Sequence, residues 1–414
     1  RTAPVVAATA LMTADPPTQA VILAGGRGTR LRPLTDTLPK PLIPFHGRPF
    51  LSYILDQLKG QGFQGVLLLV GYLADQIREY CGDGSRWGLE VGYVESPVEA
   101  ETGRRLRDAA PLLAHNFLMM YCDNYWPMRL PQMWHAYRQA GALAMVTVYA
   151  NRDGYSRNNV RVDEAGWVSA YDPNRSAPGL NGVEIGYALL SREVLDYLPQ
   201  HDVRFEHSVY PVLAARGSLA AFQTEHRYYS VGSFERLPLT EAFLEPQRAV
   251  ILDRDGVLNR RPSPAQYVCN WQEFQWLPGV RDALRLLNQA GYKLILATNQ
   301  PGIARGALAE EDLARLHGCM TDDLAHAGVT LDAIYHCPHG WDEGCFCRKP
   351  RPGLLFQAQR DFHLDLTRTL FVGDDPRDQE AGEAAGCPTA LVSQDRSLLD
   401  VVEEYLSRKD DDSR

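Results

Sequence analysis

No run of apolar residues in this 414-residue chain approaches the roughly 20 that a helix needs to cross a bilayer, so no helical membrane anchor is expected. Basic charge is also in short supply. Lys and Arg number 42 against 51 Asp and Glu, and the formal charge of −9 gives no general attraction to nucleic acid or an anionic membrane. Neither is expected as a partner. A disulfide framework is missing as well: Cys81, Cys122, Cys269, Cys319 and Cys387 are scattered, which fits a reducing compartment and points to the cytoplasm. Nothing in the composition bears on oligomeric state.

The other cysteines are concentrated. Cys337 and His339 form one C-x-H arm, and Cys345 and Cys347 form a C-x-C arm a few residues later. Four-coordinate Zn²⁺ takes thiolates and imidazole nitrogens, and a closed Cys3His set needs no further ligand. A bridge between Cys345 and Cys347 would be badly strained, because a disulfide requires a particular Cα separation and dihedral. A structural Zn²⁺ is therefore expected, in a loop that runs straight into Arg348 and Lys349.

A chain of this length exceeds what one hydrophobic core usually serves. Short, near-continuous apolar runs at 20–24, 66–70, 117–121 and 144–148 alternate with helix-length amphipathic segments, the pattern of parallel strands buried on both faces. Between Val160 and Tyr187, Gly, Pro and Asn punctuate shorter runs, which predicts an antiparallel insertion covering a pocket. A second alternation begins with Ala249–Asp253 and continues at 293–297, 333–335 and 369–372. The expectation is two tandem Rossmann-like α/β domains, 19–247 and 248–406, between a flexible leader (1–18) and a flexible tail (407–414). In such sheets ligands bind beyond the carboxyl ends of the strands.

At those ends in the second domain stand Asp253-Arg254-Asp255-Gly256, Thr298-Asn299-Gln300, Arg348-Lys349 and Gly373-Asp374-Asp375. Asp253 is placed to attack phosphorus and Asp255 to supply and withdraw a proton; carboxylates at 374–375 suit Mg²⁺ together with a substrate phosphate. The ordered set D-R-D-G-V-L-N, A-T-N-Q-P-G-I-A-R-G, C-x-H…C-x-C, R-K-P-x-P-G and V-G-D-D-x-x-D resembles the haloacid dehalogenase superfamily. Within it, the zinc-containing branch of heptose bisphosphate and histidinol-phosphate phosphatases is the nearest in pattern, over Ala249 to about Val392. The resemblance implies Asp253 as nucleophile, Asp255 as general acid/base, Thr298 and Asn299 as phosphoryl holders, Lys349 as charge stabiliser and Arg348 as a substrate contact. It also implies Mg²⁺ held by Asp253, Asp374 and the backbone carbonyl of Asp255, with Asp375, where the sugar phosphatases often carry Lys, as an additional carboxylate.

In the first domain a glycine-rich turn follows the first strand: Gly25, Gly26, Arg27, Gly28, Thr29 and Arg30, with Lys40 in a P-K-P-L segment and Asp123 past a later strand. Backbone N–H groups freed of side chains can approach a polyphosphate, Arg and Lys add charge-assisted hydrogen bonds, and Asp123 suits Mg²⁺. Together these resemble the sugar-1-phosphate nucleotidyltransferases, from about Gln19 to Phe243. Four segments depart from that pattern: Ser230 stands where a second metal-binding Asp is usual, Asp172-Pro173-Asn174 replaces a Glu-Lys pair, Arg104 and Arg105 replace small residues, and Glu184 replaces Asn.

One product feeding the next step makes the fusion chemically sensible. The expectation is a bifunctional enzyme that removes the 7-phosphate of D-glycero-D-manno-heptose 1,7-bisphosphate and transfers a nucleotide to the remaining 1-phosphate, with a sugar phosphate and a nucleoside triphosphate as partners. The alternatives are a phosphatase with a binding-only amino-terminal domain, or one acting on histidinol phosphate or another metabolite. Neither the nucleotide nor the anomer can be read from the motifs.

Overall fold

The computed structural model describes residues 15–412, so most of the expected leader and the last two residues lie outside the described residues. The chain divides into two compact units at Leu244/Glu245, three residues before the expected boundary. Among the described residues no helix is long and apolar enough to cross a membrane.

In the first unit a seven-stranded sheet has the spatial order Leu219–Thr224, Ala144–Tyr149, Val183–Ser191, Asn116–Tyr121, Gln19–Ala24, Gly65–Val70 and Glu90–Glu95. Its first strand shows why the apolar run is continuous. Ala20, Ile22 and Ala24 enter the core on one face, Val21 and Leu23 the core on the other. Burying each Ile or Leu in this way stabilises by about 1.5–3 kcal/mol. The sheet departs from expectation at one strand: Val183–Ser191 does not belong to a covering insertion but runs antiparallel between Asn116–Tyr121 and Ala144–Tyr149. All nine of its residues but Glu184 are buried, so its apolar run is long enough to fill a central position. The insertion proper is the short antiparallel pair Val160–Val162 and Val168–Tyr171.

The second unit is a five-stranded parallel sheet ordered Ala333–Cys337, Lys293–Asn299, Ala249–Leu252, Leu370–Gly373 and Thr389–Leu391. The same alternation recurs, with Val250 and Leu252 in one core and Ala249 and Ile251 in the other. Helix Val280–Gln289 covers the first of these cores with Val280, Ala283, Leu284 and Leu287, an i, i+3, i+4, i+7 stripe. The final helix, Leu398–Asp412, contributes Leu398, Val401 and Val402 to that core. Residues 407–412, expected as a flexible tail, extend this helix beyond its anchored first turns.

Candidate active sites

Three parallel strands of the second unit end side by side and deliver Asp253, Thr298–Asn299 and Asp374 to one opening, a cavity of about 600 Å³. The loop around 261–267 and the Arg348–Lys349 segment form its other walls. The turn after Asp253 is tight enough to need glycine. Gly256 has φ +93°, and a Cβ there would lie 1.9 Å from Asp374 Oδ2.

Asp253, Asp374 and Asp378 bring carboxylate oxygens within 4.8 Å of one another, a set that suits a hard divalent cation. Lys349, 3% exposed, reaches into the same group: its Nζ lies 2.9 Å from Asp253 Oδ1 and 2.7 Å from Asp378 Oδ1. Burial by itself would lower the Lys349 ammonium, but the two carboxylates outweigh it and raise it, so the charge is retained. Asp253 is raised by burial, with Asp378 and Asp255 pushing the same way against Lys349. Asp374 is pushed up to about 6 by burial and by Asp253.

The contacts of three expected site residues are more specific than their motif. Asp375 is not in the converging set. It caps helix Pro376–Ala385, accepting from the Arg377 backbone, and pairs with Arg377 and, at 2.6 Å, with Arg261. Those cations hold its carboxyl well below the usual range. Asp378, one turn on and 2% exposed, takes the third position instead. The Asp255 carboxylate, expected to reach the metal only through its backbone carbonyl, points toward Arg254, Asn259 and Gln300. Asn299 lines the cavity, yet its amide is engaged by the Lys349 backbone: Nδ2 donates to Lys349 O and Oδ1 accepts from Lys349 N, both at 3.1 Å. It aims the lysine segment through these two bonds. Thr298, 1% exposed, keeps its place in the lining.

The four residues expected at zinc do converge. Cys337 Sγ lies 3.3 Å from Cys347 Sγ and 3.6 Å from Cys345 Sγ, Cys345 and Cys347 are 3.6 Å apart, and His339 Nδ1 is 3.2 Å from Cys347 and 3.6 Å from Cys337. A tetrahedron with bonds of about 2.3 Å has edges of roughly 3.8 Å, so this donor set fits Zn²⁺. The cysteines are unbridged. Arg348 Nη1 donates to His339 O at 3.3 Å, and Arg351 donates to Cys345 O at 2.8 Å, tying the loop to the turn that carries Lys349.

In the first unit a cavity of about 490 Å³ is lined by Gly25–Arg30, Lys40, Arg105 and Asp123 among others, which brings the expected nucleotide-binding residues together. Lys40 forms an ion pair with Asp123, and Arg27 pairs with Glu99 at 2.8 Å. Val231 N donates to Asp123 O at 2.8 Å, so the Ser230 segment does abut Asp123, without adding a carboxylate. Arg105 fills the space that small residues would leave: a Cβ on Gly25 would lie 2.2 Å from its Nη1, and its guanidinium donates to the carbonyls of Gly25, Val70, Pro97 and Val98. Asp172 is a turn former, accepting from the backbone of Asn174, Ser176 and Ala177. Burial raises the Glu184 carboxyl to about 7.

Comparison with known proteins assigns the two units. The D-glycero-beta-D-manno-heptose-1,7-bisphosphate 7-phosphatase of Rhodopseudomonas palustris is 39% identical over 151 residues, which is 34% of this chain and 82% of that protein. The chain belongs to the heptose-1,7-bisphosphate 7-phosphatase family. Another phosphatase of the family, the D-glycero-alpha-D-manno enzyme of Campylobacter jejuni, is 37% identical over 39% of this chain and 92% of its own. A HAD-hydrolase-like family model matches residues 346–410, and a nucleotidyl transferase model matches residues 19–169. A Bacillus anthracis structure provisionally assigned as a glucose-1-phosphate thymidylyltransferase shares the amino-terminal fold, with a TM-score of 0.50 and 17% identity over 55% of this chain and 95% of that one. The chain is thus a phosphatase-family unit following a nucleotidyltransferase unit.

Sequence reading overlooked three residues of the phosphatase-family site. Asp378 was legible as the last Asp of V-G-D-D-x-x-D, four positions after Asp374 and one helical turn away. Arg254 was hidden between the two catalytic candidates. Arg261, 3.0 Å from Asp374 and 2.6 Å from Asp375, had no motif to mark it.

Proposed function

We propose that the carboxy-terminal unit hydrolyses the 7-phosphate of a D-glycero-D-manno-heptose 1,7-bisphosphate and that the amino-terminal unit joins the resulting heptose 1-phosphate to a nucleotide, releasing pyrophosphate from a nucleoside triphosphate. The observation that carries the first half is Asp253, buried beside Lys349 and within reach of Asp374 and Asp378, in a unit of the phosphatase family. Asp253 attacks phosphorus and forms an aspartyl-phosphate; the bond to the sugar oxygen breaks, and Asp255, which enters this step protonated although, against burial, Arg254, Asn259 and Gln300 hold its carboxyl below the usual range, gives that oxygen a proton. Asp255 then takes a proton from water, whose oxygen attacks the same phosphorus and frees Asp253 and inorganic phosphate. Lys349, with its neighbours Thr298 and Arg348, stabilises the phosphoryl charge. Mg²⁺ held by Asp253, Asp374 and Asp378 would neutralise phosphoryl oxygens and supply electrophilic assistance. The zinc loop holds Arg348 and Lys349 in place.

Phosphate release measured over both heptose bisphosphate anomers, histidinol phosphate and other sugar phosphates tests the first half. A preference for any substrate outside the heptose bisphosphates would replace it. Asp374→Ala is expected to raise the Mg²⁺ concentration for half-activation at least about tenfold, since loss even of an outer partner of a metal site costs roughly 10–100-fold. A metal titration of the variant that overlays wild type would remove Asp374 from the site.

Pyrophosphate release with ATP, GTP, CTP and UTP, using the best phosphatase product, tests the second half. Arg30→Ala is expected to weaken nucleotide binding by about 1.5–3 kcal/mol, the worth of a hydrogen bond to a charged group, while leaving phosphate release unchanged. Calorimetric titration beside a phosphatase assay reads both. A second reading of this unit, binding without turnover, is favoured by Ser230 in place of an acidic residue and by the Lys40–Asp123 pair; titratable nucleotide binding with no pyrophosphate from any of the four would establish it.

A further inference from the structure

Arg254 is fully buried, with 0% exposure, between the two catalytic aspartates of the chain segment. A buried guanidinium is costly unless its donors are engaged, and all three nitrogens of Arg254 have partners. Nη2 donates to both oxygens of Asp255, at 2.9 and 3.0 Å, and to Gln300 Oε1 at 3.2 Å, while Nε donates to Asp255 Oδ1 at 3.2 Å. Nη1 lies 3.1 Å from His317 Nε2. Burial and the facing guanidinium push the His317 imidazole down to about 3, so the ring is neutral and accepts from Arg254. His317 comes from helix Glu310–His326 and Gln300 from the end of a neighbouring strand, so separate elements fix the guanidinium. The remaining contacts of Asp255 are with amides: Asn259 Nδ2 to Oδ1 at 2.9 Å and Gln300 Nε2 to Oδ2 at 3.0 Å. Gln300 Nε2 also donates to Thr298 Oγ1 at 3.0 Å, which links this network to the phosphoryl end of the cavity.

We infer that Arg254 is a positioning residue for the proton-transfer step, a planar fork anchored on His317 and Gln300 that fixes the Asp255 carboxylate opposite the leaving oxygen. This rests on the phosphatase reading above. Arg254 faces the protein interior and lies outside the lining of the cavity, so it acts through Asp255 and not on substrate. A lysine keeps the charge but cannot hold two carboxylate oxygens and an amide in one plane.

The test is a double-mutant cycle on the full-length enzyme, with phosphate release as the readout. Arg254→Met is expected to lower kcat roughly 10²-fold, the cost of a catalytic group displaced by about an ångström, with KM within a few-fold of wild type. Arg254→Lys should recover part of that loss. In an Asp255→Asn background, Arg254→Met should cost nothing further, because residues that act as one unit are not additive. Multiplicative losses in the double variant, a rise in KM in place of the fall in kcat, or full activity of Arg254→Met would each overturn the assignment. Should Arg254→Met fail to show a cooperative thermal transition, Arg254→Lys alone and in the Asp255→Asn background carries the same comparison. Loss of all dependence on Asp255 in otherwise wild-type enzyme would instead strike the phosphatase mechanism, leaving the two failures distinguishable.

Discussion

Asp253→Asn is expected to abolish phosphate release, by on the order of 10⁴-fold or more, with zinc content and melting temperature little changed. The carboxylate is asked to make a covalent bond to phosphorus, and an amide of the same shape is a far poorer nucleophile; removal of a covalent nucleophile is among the largest single losses an enzyme shows. The fold should tolerate it. Asp253 sits past the end of its strand, and the amide keeps an oxygen that can accept from Lys349, now 2.9 Å from Oδ1, and from Arg254 N, at 2.8 Å. Lys349 retains Asp378 as a charged partner at 2.7 Å. Phosphate release within tenfold of wild type would transfer the nucleophile role elsewhere. Nucleotide binding by the same variant serves as the internal control, because the nucleotide-binding residues lie in the other unit.

Cys345→Ser is expected to lower zinc content, melting temperature and phosphatase activity together. Purified wild-type protein should carry about one Zn²⁺ per chain by elemental analysis, and the serine variant much less, since a hydroxyl is a poor replacement for a thiolate. Zinc-binding free energy becomes folding free energy when the site forms only in the folded loop. This loop sits on a sheet with its own core, so a partial loss of about 3 kcal/mol is expected, a fall of roughly 6–12 °C in Tm for a unit of this size. Activity should fall further than stability. Arg348 is held by the His339 carbonyl and Arg351 by the Cys345 carbonyl, so release of the loop frees both flanks of Lys349 and leaves its backbone to Asn299 and its ammonium to Asp253 and Asp378. A zinc-free variant with wild-type phosphate kinetics would show that Asn299 and the two carboxylates suffice to hold Lys349.

Much of this protein was legible because buried parallel strands write themselves as continuous apolar runs and because glycine-rich turns and Cys/His arms are local. Ala249–Leu252 and the run 20–24 fill cores on both faces, so no polar residue interrupts them. The Cys3His set needs only two short arms of one loop to meet, and the spacing within each arm already carries that information.

What the sequence could not decide were questions of placement and of which neighbour takes which carboxylate. Val183–Ser191 is antiparallel, as expected of its stretch, but its central place in the main sheet depends on the path of the preceding connection, which leaves no mark in composition. Adjacent carboxylates show the same limit. Asp374 and Asp375 are equivalent as letters, yet the start of a helix at Pro376 makes one of them a cap paired to Arg377 and Arg261, and turns Asp378 inward one turn later. Asp253 and Asp255 flank an arginine whose role appears only when His317 and Gln300, brought from distant helix and strand, meet it. Local chemistry was fixed by the order of residues, whereas the assignment of each charge to metal, cap or proton transfer required tertiary packing, because a charge takes its role from the groups within a few ångströms of it and those come from other parts of the chain.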